Sequence, residues 1–97
     1  MEETIYYNEL YDLYGDLLTV KQKMYFEDYY FNNLSLGEMA TNYNISRNAI
    51  FKQIHISVNK LKEYESKLHL LEKNKKIRDI IKNIGDDKIK NDIEILL

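Results

Sequence analysis

No cysteine, no proline and no tryptophan occur among the 97 residues, and glycine appears only three times. Without cysteine there is neither a disulfide framework nor a thiolate nucleophile, a composition that suits a reducing compartment. Without proline nothing locks φ or deletes a backbone donor, so long helices are free to form. The glycines at 15, 37 and 85 are scattered and make no phosphate-cradling loop. An excess of basic charge is missing too: 14 Lys/Arg stand against 16 Asp/Glu, a net charge of −2. No apolar run approaches the roughly 20 residues of a membrane-spanning helix, and no basic-then-apolar signal segment opens the chain. These absences lead us to expect a cytoplasmic protein without membrane insertion. His55 and His69 lie too far apart in sequence for a metal pair and have no third ligand at helical spacing, so no metal site is expected. Asp86 and Asp87 fall at a helix start, where carboxylates complement the dipole. Nothing resembles a catalytic constellation, and neither an enzyme nor a cofactor is expected.

What is present reads as a globular, helical domain spanning residues 1–97. Hydrophobic residues make up 44% and charged ones 31%, well clear of a disordered composition. The charge is uneven: residues 1–50 carry three Lys/Arg against eight Asp/Glu, or −5, and residues 51–97 carry eleven against eight, or +3. A basic second half can present a positive face to nucleic acid; it can equally be a solvated helix surface of mixed charge.

Apolar spacing and capping residues predict six helices and no strand. Ile5, Leu10, Leu13 and Leu17 give residues 3–16 a helical period. Thr19 with Gln22 forms a capping box, in which each side chain satisfies the other's free backbone N–H, and opens a helix to about Asn32. Ser35 with Glu38 repeats the device for a short helix over 36–42, and Asn42, Tyr43 and Asn44 break it, asparagine tolerating the left-handed conformation. Ser46 caps a fourth helix that can run unbroken to about Leu71. The basic segment 73–78 leads into a fifth ending near Gly85, and Asp86 caps the last, where Ile89, Ile93 and Leu96 share a face. Residues 72–97 thus read as a C-terminal helical extension.

Residues 35–56 fill each role of a helix-turn-helix in order. Ala40 is the small contact between helices, Asn44 the turn, Ile45 the apolar plug and Ser46 the cap, while Ala49, Ile50 and Ile54 form the inward face of the second helix. The residues on its outer side, Arg47, Asn48, Lys52 and His55, with Phe51 at the border, are the candidates to meet a major groove. Arginine can bond bidentately to guanine and asparagine to adenine. Ser46 and the free N–H groups at the helix start can hold a phosphate, and Lys21 and Lys23 on the preceding helix can contact the DNA backbone. The same residues also make ordinary exposed positions on a helix. Of the nine tyrosines, seven fall in the first two helices; they suit the core of a small bundle, and a surplus would suit a protein interface.

The segments LTVKQKMYFEDYY, LSLGEMATNYNISRNAIFKQI and LKEYESKL, within residues 18–78, resemble the YlxM-type family of small helix-turn-helix proteins, whose gene commonly neighbours that of the signal-recognition-particle GTPase. The resemblance implies an all-α fold of sigma-factor region-4 type with a long recognition helix, and a setting in the signal-recognition-particle pathway, whose components become candidate partners. The sequence departs from the family after its Ser-Arg-x-Ala-Ile start. An Asp-Asn pair is replaced by Lys52 and Gln53, which adds charge near the reading end, and a Lys-Arg pair by His55 and Ile56, which removes an arginine. The function expected is that of a DNA-binding regulator or accessory protein working as a homodimer on duplex DNA. The alternative is a helical adaptor for a protein partner or structured RNA.

Overall fold

The computed structural model describes residues 2–97, with the backbone alone for Glu2. Among these residues the chain forms six α-helices and no strand: α1 (Glu2–Tyr14), α2 (Val20–Tyr30), α3 (Leu36–Tyr43), α4 (Arg47–Leu68), α5 (Leu70–Ile81) and α6 (Asp87–Glu94).

A 3₁₀ turn, Gly15–Leu17, ends α1 where the sequence pattern continues the helix. Gly15 is needed there for close approach rather than for a special φ. A Cβ added to it would lie 2.9 Å from the Tyr11 ring, and that ring is fixed by stacking on Phe26 at 4.5 Å. Its hydroxyl also donates to Glu27 Oε1 at 2.7 Å. Gly15→Ala should therefore destabilise the fold by about 1–3 kcal/mol through overpacking, read as an earlier urea midpoint with an unchanged slope.

The caps are realised as side-chain bonds. Gln22 N–H donates to Thr19 Oγ1 at 3.2 Å and Thr19 N–H to Gln22 Oε1 at 3.0 Å. Glu38 N–H donates to Ser35 Oγ at 3.0 Å and Ser35 N–H to Glu38 Oε1 at 3.2 Å. Ala49 N–H reaches Ser46 Oγ at 3.1 Å, and Asp86 Oδ1 accepts from Lys88 and Ile89 at 2.9 and 3.2 Å.

The expected unbroken fourth helix is corrected by His69, which sits in the left-handed region (φ 55°, ψ 28°) and separates α4 from α5. Basic residues 73–78 therefore lie inside α5 rather than before it. No glycine or proline imposes this break. It is held by one side chain from elsewhere in the fold, Tyr14, and by one in the last turns of α4, Glu65. The Tyr14 hydroxyl donates to Glu65 Oε1 at 2.6 Å and accepts the Leu70 N–H at 3.1 Å. Glu65 in turn accepts the N–H groups of Leu71 and Glu72 at 3.0 and 3.1 Å. Three orphan donors of α5 are satisfied in this way.

The core has two parts. Leu10, Tyr14, Leu18, Phe26, Val58, Leu61 and Leu71 bury one, between α1, α2, α4 and α5. Tyr25, Met39, Ile50 and Ile54 bury the other, under α3 and the start of α4. The molecule is elongated, 54 × 25 × 23 Å, and α6 buries none of its residues. The tyrosines divide: Tyr14 and Tyr25 are buried, Tyr7, Tyr11, Tyr30, Tyr43 and Tyr64 pack at the edge of the core, and Tyr6 and Tyr29 are exposed.

Candidate nucleic-acid interface

Three things position the outer face of α4: the turn before it, the cap at its start and the residues it buries. Asn44 takes the left-handed conformation (φ 54°, ψ 45°) and its N–H bonds back to α3 carbonyls, so the chain reverses within three residues. Ser46 then starts α4. Ile50 is fully buried and Ile54 nearly so, with Ala40 and Ala49 half-buried at the edge of the contact. One expectation is corrected here: Ile45, expected to be the plug, is 38% exposed. The seat between α3 and α4 is filled by Met39, fully buried in one cluster with Tyr25 and Ile50. Met39 could have been found from its place one helical turn after Leu36 on the apolar side of α3.

With Ile50 and Ile54 inward, Arg47, Asn48, Phe51, Lys52 and His55 are all exposed. The rings of Phe51 and His55 lie nearly parallel, 6.1 Å apart and 15° between planes. Arg47 lies beside Gly37 of α3, its Nε 3.8 Å from where a Cβ on that glycine would stand. Ser46 is exposed, and its oxygen already accepts the Ala49 N–H, which leaves its hydroxyl proton available to an incoming acceptor. The two lysines of α2 differ. Lys21 is exposed and in no ion pair among the described residues. Lys23 is paired with Asp16 at 2.8 Å. That contact holds the Lys23 ammonium above, and the Asp16 carboxyl below, the ordinary value of each. A phosphate at Lys23 must compete with a carboxylate already in place.

Two features lie beyond the local sequence pattern of the helix-turn-helix. Arg47, Phe51, His55, Asn59 and Lys62 follow one another at steps of four, four, four and three, so the exposed ridge continues along α4 past the expected recognition residues. The spacing is legible in the sequence, but a helix-turn-helix template ends within the first turns of its second helix. Beside the ridge runs a groove of about 230 Å³, lined by Tyr7, Tyr29, Tyr30, Phe51, His55 and Lys62 among others. It joins α1, α2 and α4, with Leu36 of α3 at its edge, so no local pattern announces it. The Lys62 ammonium stands 5.1 Å from the centre of the Tyr7 ring. Burial, with Tyr7, Tyr29 and Glu3 nearby, pushes the Tyr30 hydroxyl up to about 12, so it stays a neutral donor at physiological pH. Under α3, the bond from Tyr43 to the Asp28 carboxylate, helped by burial, raises the Tyr43 hydroxyl to about 12 as well.

Among the described residues no group of three or more His, Cys, Asp or Glu side chains could hold a metal ion. No described helix is long and apolar enough to cross a membrane.

Residues 1–96 match the model of the family described as "Putative helix-turn-helix protein, YlxM / p13 like". A UPF0122 protein of Geobacillus kaustophilus (strain HTA426) is 43% identical over 86 residues, covering 89% of this chain and 78% of the relative. One from Shouchella clausii (strain KSM-K16) is 47% identical over 73 residues, covering 75% and 67%. One from Malacoplasma penetrans (strain HF-2) is 45% identical over 80 residues, covering 82% and 75%. With nearly its whole length matched and an α3–turn–α4 unit in place, this chain belongs to the YlxM / p13-like helix-turn-helix family.

Proposed function

We propose that this protein is a DNA-binding regulator or accessory factor of the cytoplasm that works as a homodimer and reads duplex DNA with α4. The observation that carries the reading is the start of α4: a capped helix end with Arg47, Asn48 and Lys52 exposed on one side and Ile50 and Ile54 buried on the other. A helix presented this way fits a major groove end-on, with its first turn at the base edges and its free N–H groups at a phosphate. The family resemblance adds the signal-recognition-particle pathway as the setting and its components as candidate partners. The C-terminal helices support the dimer, since Ile80 and Ile89 are 66% and 49% exposed there.

The charge of the first fifty residues opposes this approach, so binding should rest on few cations. Arg47→Ala with Lys52→Ala should weaken binding at least tenfold, since a bidentate base contact contributes about 1–3 kcal/mol. The slope of log affinity against log salt should become shallower by about 0.9 for each phosphate that the variant no longer neutralises. Fluorescence anisotropy with duplex from the protein's own gene neighbourhood, across a salt series, measures both; unchanged affinity in the double variant would reject α4 as the reading helix. Absence of salt-dependent binding to any nucleic acid would instead favour an adaptor, a reading that the exposed apolar side chains of α5 and α6 support.

A further inference from the structure

Duplex reading uses the first two turns of α4 and leaves the rest of its exposed ridge unexplained. From Arg47 to Lys62 the ridge is about 22 Å long at 1.5 Å per residue, well beyond the roughly 12 Å width of a major groove. Its composition is cation, aromatic ring, imidazole, amide, cation, all on exposed residues of one helix. Aromatic side chains set between cations are what an unpaired strand needs: rings for the faces of its bases and charges for its phosphates.

The groove beside the second half of the ridge has the matching shape and chemistry. At about 230 Å³ it is smaller than the 300–1,000 Å³ usual for a whole small molecule, which limits it to a single planar group. Tyr29 is 38% and Phe51 58% exposed at its edge. Tyr7 and Tyr29 each meet Tyr30 edge-on, at 5.9 and 5.0 Å with planes 75° and 89° apart, so the rings of the wall lie at different angles, and the Lys62 ammonium stands over that of Tyr7. Asn59 offers both an amide donor and an acceptor, and Glu3 offers a carboxylate, for the polar edge of a base. That same carboxylate repels phosphate, whereas the Lys62 ammonium attracts it. A protein side chain could fill the volume, but a partner's aromatic or aliphatic residue would make no use of the cations at both ends of the ridge.

We propose that the groove between α1, α2 and α4 accepts one unpaired base of a nucleic acid whose neighbouring phosphates lie along the ridge from Arg47 to Lys62. The shared ligand chemistry is an extrahelical base with flanking phosphates, which a bulged RNA or a bulged DNA can supply. The proposal goes beyond duplex reading and can succeed or fail separately from it.

The test is fluorescence anisotropy of the full chain with four labelled probes of one sequence: a fully paired DNA duplex, that duplex with one bulged nucleotide, the same bulge made abasic, and the RNA hairpin equivalent with one bulge. Base–aromatic stacking predicts about five- to hundredfold tighter binding to a bulged base than to the paired or abasic probe. Whether the DNA or the RNA bulge binds tighter identifies the source. Phe51→Leu and Lys62→Gln, both at exposed positions, should each remove most of that preference, while circular dichroism melts stay unchanged for Phe51→Leu and fall by only a few degrees for Lys62→Gln, which loses its contact with the Tyr7 ring. Equal affinity for bulged, abasic and paired probes would overturn the proposal and leave duplex reading standing. A bulge preference that survives Phe51→Leu and Lys62→Gln would overturn the groove as its seat. Preference for the bulge without duplex binding would uphold the groove and reject duplex reading, and no binding to any probe would reject both.

Discussion

Glu65→Ala should lower stability by about 3 kcal/mol, the largest loss expected from any single side chain outside the apolar core. Glu65 receives one hydroxyl and two backbone N–H groups, and a hydrogen bond to a charged group contributes about 1.5–3 kcal/mol. Water can reach Glu65, which is only half-buried, and this keeps the expected loss below the simple total. For a chain of this size such a loss shifts the thermal midpoint by about 15 °C. Tyr14→Phe should cost less, about 1.5 kcal/mol, because Glu65 keeps its two N–H partners. The double variant should cost less than the two single losses combined, since both belong to one network. Additive losses in that cycle would show that the two residues act independently.

The same network sets an acid limit. Burial alone would raise the Glu65 carboxyl. The Tyr14 hydroxyl and the Leu71 and Glu72 N–H groups outweigh burial, and with His69 nearby they hold it below the ordinary value of 4.5. A carboxyl whose pKa is depressed by folding adds stability that is fully present above its unfolded value and lost as pH falls through the folded one. The stability difference between wild type and Glu65→Gln should thus be constant near neutrality and shrink below about pH 4.5. A difference that stays flat down to about pH 3 would rule out the ionised carboxylate as the cause.

This junction also shows where the sequence stops being legible. Thr19, Ser35, Ser46 and Asp86 announce their helix starts because a cap and its N–H partner lie within three residues of each other. The inward face of Ile50 and Ile54 is legible for the same reason, a local period. The break at His69 is different: nothing between 64 and 76 is glycine or proline, and the local preference is one continuous helix. Tyr14, 51 residues away from Glu65 in the chain, overrides that preference by satisfying the new helix start. The plug is Met39 rather than Ile45, and its buried cluster includes Tyr25, 14 residues earlier in the chain, which no local spacing brings to it. Lys23 is legible as a cation, but its contact with Asp16 depends on how the 3₁₀ turn folds back. The aromatic groove draws on four helices and has no local signal at all.

Ile80→Asp together with Ile89→Asp should convert the proposed dimer into a monomer and weaken binding to a DNA with two half-sites about a hundredfold. Ile80 is largely and Ile89 about half exposed in the single chain, and neither belongs to the buried core, so charges placed there should leave the monomer fold intact. Single exposed apolar residues need no explanation. Here, however, α6 buries none of its residues, and Leu70, Ile95 and Leu96 are exposed on the same C-terminal arm. A short chain with a limited core gains most from covering such a surface with a second copy. Linking two α4 helices in one particle turns the second half-site contact into an intramolecular event, which raises affinity by about 10²–10⁴ without any new contact. Sedimentation at micromolar concentration reads the mass, and anisotropy with one and two half-sites reads the coupling. The charged variant should bind one half-site as the wild type does and lose only the gain from the second. A wild-type protein that sediments as a monomer would remove the dimer, and equal loss on both probes would mean that the substitutions had damaged α4 rather than its partnering.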